Sequence, residues 1–403
     1  MAETLTLIPS LPNDLAALIL SYIPFSHHAR LKSTCKSWRI FLSSKTVFSL
    51  RAANFPPSRL SHLIAIFPED PSITCPYLFD PEYLAWHALP RMPVNPHVYA
   101  LCNFASLSLG WHLYVLGGSL FDTRSFPMDR PSPSSVAFRF DLSSFAWNQI
   151  SPMLMPRGSF ACTAISDSNQ ILVAGGGSRH TMFRAAGSRI SSVERYDIEK
   201  DEWVELDGMP CFRAGCAGFV VGSEEEREFW VMGGYGESRT MLGVFPVDEY
   251  YRDAVVMKLK DGGRWKEVGD MWEDGERMRL GKIVVLDEED DHGVPGIFML
   301  DGNDIFRYIM ASNRWLKESC VPRKAPHDSS FGFVALNGEL LVMTLLQGVD
   351  TSQIRRSRNR KGNTLLYLQI YHPGKKTWRS LVAMPPSNCT LDFTTAVMCT
   401  ITV

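Results

Sequence analysis

The sequence predicts a mainly β protein built from a repeated unit of about sixty residues, with a short helical segment in front of the repeats. Two observations lead to this prediction. Tryptophan residues recur at a nearly regular distance along most of the chain, and each follows short strand-type runs bounded by turn-forming residues. The N-terminal part differs, because its apolar side chains are spaced three and four positions apart, as on one face of a helix.

Composition and charge indicate an ordinary globular protein. Hydrophobic residues make up 45% of the 403 residues, and the formal net charge of -2 gives no global field that favours nucleic acid or an anionic membrane as a partner. No apolar run approaches the roughly 18 residues that span a bilayer, and the N-terminus lacks the features of a signal peptide. The nine cysteines include no CxxC pair, which fits reduced thiols in the cytoplasm, the nucleus or both.

Three helices are expected between residues 10 and 52. Along the first helix the apolar positions follow helical spacing: Leu11, Leu15, Leu18, Ile19, Tyr22 and Ile23. Pro12 suits a first helical turn, and Pro24 ends this helix. A second helix starts after Ser26, and a third carries Trp38, a large aromatic that we expect in the core. Because three short helices bury little apolar area, the segment needs a partner or the rest of the chain to complete it.

The rest of the chain repeats itself around six tryptophans: Trp86, Trp147, Trp203, Trp265, Trp315 and Trp378. An aromatic residue stands seven positions before the tryptophan in five units: Phe79, Phe140, Tyr196, Tyr308 and Tyr371. Lys258 takes that position in the unit of Trp265. In the first three units an aspartate follows the aromatic residue: Asp80, Asp141 and Asp197. The eight residues from the aromatic position to the tryptophan form a recurring pattern, which we call the octet. The later units match this pattern less well than the first three.

Each unit offers four short strands, because an apolar run and one further strand precede the two strands of the octet. In three units the apolar run ends in a diglycine: Gly117-Gly118, Gly175-Gly176 and Gly233-Gly234. Four antiparallel strands repeated six times predict a six-bladed β-propeller, in which each sheet buries its faces against its neighbours. The first unit lacks an innermost strand. We expect the C-terminal run 391–401 to pair with it and close the ring, which removes two exposed sheet edges.

The helical segment resembles the F-box. The resemblance covers about residues 10–51 and rests on Leu11-Pro12-x-Asp14-Leu15 at its start and Cys35-Lys36-x-Trp38-Arg39 at its end. F-boxes bind the Skp-type adaptor of Skp–cullin–F-box (SCF) ubiquitin ligases. The resemblance implies that the adaptor contacts Leu11, Pro12, Leu15, Ile19, Pro24 and Leu31. The alternative is that these residues only attach a helical cap to the next domain.

The repeats resemble kelch repeats, most clearly in the units that end at Trp147 and Trp203. The combination resembles the F-box/kelch proteins of plants and implies a disordered segment 1–9, an F-box 10–52 and a kelch propeller 53–403. It further implies the substrate-recognition subunit of an SCF-type ligase. The F-box binds the Skp-type adaptor and through it a cullin, and the propeller binds a target protein for ubiquitination and degradation. Two alternatives remain: a scaffold that does not direct degradation, and a kelch-type enzyme.

The target is expected on the end of the propeller that carries the inter-blade linkers and the long loops between second and third strands. Propeller strands alternate in direction, so these connections share one face. The linkers bring Arg157, Arg213, Arg279 and Arg323, and the long loops bring the aromatic residues Phe121, Phe183 and Tyr250. Arginine and aromatic side chains are typical of interface hot spots. The alternative is that these arginines bond to carbonyl groups of neighbouring blades and that the aromatics cover blade edges.

No catalytic residue, metal ligand or cofactor site is expected. The sequence has no HExxH, no GxSxG, no GxGxxG before a helix and no paired Cys/His metal spacing. Three cysteines at similar places in their units are interpreted as small buried strand residues: Cys162, Cys216 and Cys389. His27 and His28, between the first two helices, are interpreted as exposed. The basic run 355–361 is either a nuclear-import signal, a docking patch for an acidic partner or a solvated loop.

Overall fold

The structure is a computed structural model, and it describes residues 6–68, 74–94, 99–122, 132–177, 189–222, 226–241, 245–260, 264–272, 279–289, 295–325, 330–347, 364–386 and 391–403. The basic run 355–361 therefore lies outside the described residues. Four helices come first: α1 (Asn13–Ser21), α2 (Phe25–Leu31), α3 (Lys36–Leu42) and α4 (Lys45–Asn54). A 3-10 turn at Pro57–Arg59 leads into a mainly β remainder. None of the described helices has the length and apolar character to cross a membrane.

The helical segment has four helices, so the prediction of three is wrong. α1 and α2 each begin directly after a proline, Pro12 and Pro24, whose missing N–H is not needed at a helix start. The unpredicted helix α4 has a mixed polar sequence with weak apolar periodicity. It is stabilised by tertiary packing, because Val47, Phe48 and Arg51 are buried against the other helices and the sheets.

The N-terminal stretch 1–9, for which the sequence predicts disorder, is described from residue 6 onward. Leu7 is buried in the core that the helices share with the sheets. Its backbone carbonyl accepts a hydrogen bond of 2.7 Å from the indole Nε1 of Trp38. This contact explains why Trp38, expected in the core, is only half-buried: its ring packs on the core while its polar edge holds the preceding chain.

In the described part of the chain, the strands form six four-stranded antiparallel sheets, numbered here in chain order. Sheet 1 contains β1 (His62–Phe67), β2 (Tyr77–Asp80), β3 (Ala85–Ala88) and, from the end of the chain, β29 (Val397–Thr402). Sheet 2 contains β5 (Ala105–Leu109), β6 (His112–Leu116), β9 (Ala137–Asp141) and β10 (Ala146–Gln149). Sheet 3 contains β11 (Ala161–Ile165), β12 (Gln170–Ala174), β13 (Val193–Asp197) and β14 (Glu202–Leu206).

Sheet 4 contains β15 (Ala217–Val221), β16 (Glu228–Met232), β19 (Ala254–Lys258) and β20 (Trp265–Val268). Sheet 5 contains β21 (Lys282–Glu289), β22 (Pro295–Asp301), β23 (Asp304–Ile309) and β24 (Arg314–Cys320). Sheet 6 contains β25 (Gly332–Leu336), β26 (Glu339–Gln347), β27 (Thr364–His372) and β28 (Thr377–Ala383). Two small sheets are also present. One joins β4 (Tyr99–Cys102), in the linker between sheets 1 and 2, to β7 (Ser119–Asp122) and β8 (Ser132–Pro133) in the connection between the second and third strands of sheet 2. The other pairs β17 (Tyr235–Met241) with β18 (Phe245–Tyr250) in the corresponding connection of sheet 4.

The repeated octet forms the hairpin between the third and fourth strands. The aromatic residue and the tryptophan are direct cross-strand partners, as in the pair of Tyr196 and Trp203, whose ring centroids are 4.8 Å apart. The aspartate closes the turn between them. In sheet 1, for example, Asp80 Oδ1 accepts hydrogen bonds from the backbone N–H groups of Glu82 and Tyr83 at 2.9 and 3.1 Å. The octet spacing is thus the length of one hairpin.

The tryptophan also ties its sheet to the preceding one. The indole Nε1 of Trp203 donates to the backbone carbonyl of Ser151, in the linker that leaves sheet 2, at 2.8 Å. Trp147 and Trp265 make the equivalent bonds to Pro90 and Asp207, also at 2.8 Å. The tryptophans of these three units therefore connect each sheet to the linker of the sheet before it.

The diglycines lie where the chain linking two sheets crosses the end of a second strand. Gly117 and Gly175 adopt positive φ values of 58° and 67°, and a Cβ on either would overlap the backbone carbonyl oxygen of the next linker's arginine. The second glycine of each pair forms a backbone hydrogen bond with the same carbonyl. Gly118 N donates to Arg157 O at 2.8 Å, and Gly176 N donates to Arg213 O at 2.7 Å. These positions are therefore too crowded for a side chain.

The C-terminal run pairs with the first sheet as predicted, although its strand begins only at Val397. β29 and β1 are antiparallel, with Ile401 opposite Leu63 and Val397 opposite Phe67. β29 also contacts β5 of sheet 2 and β25 of sheet 6. Hydrophobic clusters lie between each pair of consecutive sheets, and one joins sheet 6 to sheet 1. The first and last repeats are therefore held to each other by backbone pairing and by side-chain packing.

Candidate protein-binding surfaces

A stripe along α1, extended by Leu11 before the helix and Tyr22 directly after it, exposes large apolar side chains. Leu11, Leu15, Ile19 and Tyr22 are 39%, 52%, 49% and 55% exposed, and we call them the α1 patch. The opposite side of the same helix is buried, with Ala16 and Leu20 in the core. The helix therefore has an inner apolar side that holds the fold and an outer apolar side without a covering element in the described structure. Contiguous exposed apolar side chains of this kind are typical of protein-binding surfaces.

The six residues predicted to contact an adaptor divide into two groups. Leu11, Pro12, Leu15 and Ile19 are exposed. Pro24 and Leu31 are half-buried, and Leu31 packs against the core shared by the helices and sheets 1 and 2. The structure thus brings four of the six to the outside of the helical segment, while the other two have at least a partly structural role.

Arg51 of α4 fastens the helical segment to the sheets. Its guanidinium is almost fully buried, and Nη1 donates to the backbone carbonyls of Ser21 and Ile23, both at 2.7 Å. Nη2 donates to Ser61 Oγ at 3.2 Å and to the backbone carbonyl of Val403 at 3.0 Å. One side chain therefore links the end of α1, the entry to β1 and the end of β29.

Side-chain contacts continue this attachment onto sheets 1 and 2. The Ser26 hydroxyl donates to Asp80, and the Phe25 ring meets the imidazole of His87 edge-on at 5.7 Å. The Phe48 ring stacks on Trp111, in the turn between β5 and β6, at 6.1 Å. All these sheet residues lie in or near turns that join the first strand of a sheet to the second, or the third strand to the fourth. We call this end of the sheets the helix end.

His28 is a buried residue of α2, so its interpretation as an exposed residue is wrong, whereas His27 is exposed. Nε2 of His28 lies 3.1 Å from the backbone carbonyl of Ile23. Burial, with a smaller contribution from the nearby charge of Arg51, lowers the pKa of His28 to about 3 although the carbonyl contact opposes this shift. His28 is thus a neutral core residue between the helices.

The opposite end of the sheets carries the linkers between sheets and the second-to-third connections, and we call it the linker end. Backbone hydrogen bonds join the two kinds of connection. Gly158, in the linker between sheets 2 and 3, exchanges bonds with Gly177 of the second-to-third connection of sheet 3 at 3.0 and 2.8 Å. Ala214 and Tyr235 make the same exchange one sheet further, at 3.0 and 2.8 Å. The predicted sharing of one face by these connections is confirmed for the described residues.

Two of the four arginines predicted for target binding are instead structural. Arg157 is fully buried: Nη1 donates to the carbonyls of Gly175 and Ser192 at 2.9 and 3.0 Å, and Nη2 forms an ion pair with buried Glu194. Arg213 is equally inaccessible, and its guanidinium bonds to Gly233 O at 3.1 Å and to Asp253 at 2.8 Å. Both guanidinium groups bond to backbone carbonyls at the glycine-rich ends of second strands. Neither arginine is therefore available to a partner.

The other predicted target-binding residues have different outcomes. Arg279, Arg323 and Tyr250 are exposed, and the Arg323 guanidinium lies over the Tyr367 ring at 5.1 Å. Phe183 lies outside the described residues, and for Phe121 only the backbone, in β7, is described. The prediction therefore remains open for these positions, with three side chains placed on the protein surface at or near the linker end.

The linker end exposes apolar residues that the sequence interpretation missed. Leu154 and Met155 in one linker, Phe212 in the next and Met384 before the return to sheet 1 are exposed. Leu154 and Met155 follow Met153, and Phe212 follows Met209 by three positions. Met153 and Met209 are both buried, and each stands four residues before its linker arginine.

The described residues contain no group of three or more His, Cys, Asp or Glu side chains that would hold a metal ion. Burial raises the pKa of the Cys162 thiol, and it raises that of Cys216 to about 11. A thiol with a raised pKa stays protonated and is a poor nucleophile. This fits their interpretation as small strand residues, while Cys389 lies outside the described residues.

Comparison with known proteins gives matches in both parts of the chain. The family model of the F-box domain matches residues 8–50, and that of the kelch motif matches residues 160–210. The F-box/kelch-repeat protein OR23 of Arabidopsis thaliana is 58% identical over 410 residues, which cover 99% of this chain and 92% of that protein.

Two further relatives from the same plant are more distant. The F-box/kelch-repeat protein At1g16250 is 30% identical over 214 residues, 53% of either chain. The F-box/kelch-repeat protein SKIP30 is 24% identical over 305 residues, 71% of this chain and 83% of that protein. The nearly full-length match to OR23 at 58% identity extends over the helices and all six sheets. The chain therefore belongs to the F-box/kelch-repeat protein family.

Proposed function

We propose that this protein is the substrate-recognition subunit of an SCF-type ubiquitin ligase. Members of this family are generally substrate receptors of such ligases and adaptors rather than enzymes. The observation that carries the proposal is the α1 patch. Its four apolar side chains are exposed, while the opposite side of α1 packs in the core that the helices share with the sheets. We assign the Skp-type adaptor to this patch, and through it a cullin.

We propose further that the six sheets are the blades of a closed propeller of residues 53–403, with the F-box in residues 10–52. Three features support closure: the pairing of β29 with β1, the contact of β29 with both neighbouring first strands, and the hydrophobic cluster between sheets 6 and 1. Pairing with β29 covers the edge of β1 that would otherwise be open.

The target protein is assigned to the linker end. The exposed apolar residues Leu154, Met155, Phe212 and Met384 supply contact area there, with Arg279, Arg323 and Tyr250 as polar or amphipathic contacts. Because the helices occupy the helix end, a target at the linker end and an adaptor on α1 do not compete for surface. Transfer of ubiquitin then follows from proximity, since one molecule holds both partners. We propose the cytoplasm, the nucleus or both as its location.

Adaptor binding is tested with the full-length chain carrying Leu15→Glu and Ile19→Glu. Two carboxylates on the α1 patch should weaken capture of a purified Skp-type adaptor at least about tenfold, because they would be desolvated in the interface. The matched control is Leu316→Glu, an equally exposed leucine on an outer strand of sheet 5. Unchanged capture by the double variant would remove the basis of the ligase assignment.

The same double variant distinguishes degradation from scaffolding. It keeps the linker end intact, so targets should still bind but should accumulate in cells instead of turning over. Phe212→Glu combined with Leu154→Glu should do the reverse and keep the adaptor while losing the targets. Stable target levels with both variants would favour a scaffold that does not direct degradation, and catalysis by the purified chain alone would favour a kelch-type enzyme.

A further inference from the structure

A groove of about 660 Å³ separates sheets 3 and 4 on the outer part of their interface. Its apolar wall consists of Leu172 and Leu206 of sheet 3 and of Met257 and Leu259 of sheet 4. Arg195 and Arg227 provide cationic groups in the same groove, and Glu205 and Asp207 lie along its β14 side.

The groove occurs at the one sheet that departs from the repeat. In the other five sheets the third-strand partner of the tryptophan is an aromatic ring: Phe79, Phe140, Tyr196, Tyr308 and Tyr371. In sheet 4 the partner of Trp265 is Met257, because this hairpin is one residue longer, and Lys258 points to solvent. A slim, flexible side chain therefore stands where the repeat places a ring, and Met257 lines the groove.

The interface between sheets 2 and 3 shows which groups occupy the position that corresponds to the groove. Arg139 immediately precedes the aromatic residue of its octet, as Arg195 does one sheet later. Sheet 3 presents to Arg139 the ring of Tyr196 and the carboxylate of Asp201, which accepts a hydrogen bond of 2.5 Å from the Tyr196 hydroxyl. Among the described residues of sheet 4, which leave out 261–263 of the corresponding hairpin, no such ring and carboxylate face Arg195. Within the described part of the chain, the half-buried Arg195 guanidinium has no hydrogen-bond or ion-pair partner.

We propose that this groove is a binding site for an aromatic group with a carboxylate close to its ring. The ring takes the place of the missing aromatic residue, against Met257, Leu172 and Leu206. The carboxylate pairs with Arg195, whose fork of N–H donors suits it. Arg227 contributes less, because it already forms an ion pair with Asp167. Glu205 and Asp207 repel the carboxylate from the β14 side and so orient the ligand. This site is independent of the adaptor and target surfaces proposed above.

Two probes test the site on the full-length protein by titration calorimetry and ligand-detected NMR. 4-Hydroxyphenylacetate represents a free aromatic acid, and the capped dipeptide N-acetyl-Tyr-Asp-amide represents a protein segment. The neutral 4-hydroxyphenylacetamide and acetate alone serve as controls for the two halves of the ligand. Saturable binding of either probe, with both controls at least about tenfold weaker, is expected. Tighter binding of the dipeptide would point to a protein segment as the source, and tighter binding of the free acid would point to a small molecule.

Two variants locate the binding. Arg195→Gln removes the charge from a half-buried position and should weaken either probe at least about tenfold while leaving the unfolding temperature nearly unchanged. Met257→Phe restores the ring of the repeat and should abolish binding by filling the groove. Arg323→Gln is the control for non-specific charge effects and should bind like the original protein. Absence of saturable binding at millimolar probe, or binding that neither Arg195→Gln nor Met257→Phe weakens, would overturn the proposal.

Discussion

At the scale of single residues, buried arginines connect parts of the chain that are distant in sequence. Arg157 and Arg213 tie linkers to the sheet that follows them, and Arg51 ties the helices to Ser61 and Val403. In each case the guanidinium bonds to backbone carbonyls at or near the ends of strands or helices. A buried charge is tolerable only with such partners, so removing either side leaves a costly group behind.

The first prediction concerns Arg157. Arg157→Met leaves the Glu194 carboxylate and the carbonyls of Gly175 and Ser192 without this donor, so we expect a loss of about 3–5 kcal/mol in unfolding free energy. Urea unfolding measures it. The exposed Arg323→Met is the control and should change stability by less than about 0.5 kcal/mol. Adding Glu194→Gln should recover only part of the loss, because Glu194 also accepts from the N–H groups of Leu154 and Met155. Equal effects of Arg157→Met and Arg323→Met would contradict the structural assignment.

The second prediction concerns pH and His28. Its pKa is about 3 in the folded state and near 6.5 in the unfolded chain, so the unfolded state binds the extra proton between these values. The stabilisation is complete above about pH 6.5 and is lost progressively as the pH falls toward 3, with about 2 kcal/mol lost by pH 5. His28→Gln should flatten this part of the stability profile, measured by urea unfolding at pH 5 and 7.5. His27→Gln, at the exposed neighbour, should not flatten it.

At the scale of elements, the octet hairpin determines how one sheet meets the next. The aromatic–tryptophan pair fills the gap, and the indole N–H of Trp147, Trp203 and Trp265 reaches the preceding linker. The indole N–H of Trp315 is buried and has no hydrogen-bond partner among the described residues. The same residue type thus contributes packing in every unit but a hydrogen bond only in some.

The third prediction uses this difference. Trp203→Phe and Trp315→Phe lose similar buried area, because both rings are almost fully buried. Only Trp203→Phe also removes the donor to the Ser151 carbonyl, so it should cost about 1 kcal/mol more in unfolding free energy, measured by urea unfolding, or roughly 1 °C in Tm. An equal or larger loss for Trp315→Phe would show that the indole hydrogen bond does not contribute.

The fourth prediction concerns closure by β29. A chain that ends at residue 396 loses the whole pairing with β1 and the Val403 carbonyl that Arg51 binds. It should lower Tm by at least about 10 °C and increase aggregation, because β1 becomes an open edge. A synthetic peptide of residues 391–403 should restore Tm by adding the strand in trans. A truncated chain that melts like the full-length protein would rule out a closing role for β29.

At the scale of the whole molecule, the helices and the sheets are one folding unit with two separate exposed surfaces. A single hydrophobic cluster contains residues of all four helices and of sheets 1 and 2. The F-box is therefore not a flexible appendage, and the α1 patch keeps a constant orientation relative to the linker end. A fixed orientation suits the receptor role proposed above, in which a bound target is held at one place beside a larger assembly.

The fifth prediction tests this coupling. Arg51→Met removes four hydrogen bonds between the helices, the entry to β1 and the end of β29. Hydrogen exchange should accelerate by at least about tenfold in peptides covering residues 13–54 and 397–403, with little change in sheets 3 to 5. Arg39→Met, at an exposed arginine of α3, is the control. Unchanged protection in Arg51→Met would mean that the shared apolar core alone holds the helices.

Local periodicity and spacing were sufficient to predict the F-box stripe on α1, the repeated hairpins and the return of the last strand to the first sheet. These features depend on residues close in sequence or on a pattern repeated many times, as with Tyr196 and Trp203. α4 could not be predicted this way, because Val47, Phe48 and Arg51 obtain their helix-stabilising contacts from distant residues.

The sequence determines which side chains recur, and therefore the sheets, their hairpins and the family to which the chain belongs. Only the tertiary structure decides which recurring polar residues face outward. Arg157 and Arg323 look alike in the sequence, yet one meets the carbonyls of a neighbouring sheet and the other meets solvent. The physical reason is that a charged side chain is buried only where distant chain segments supply its hydrogen bonds, and local sequence does not specify those segments.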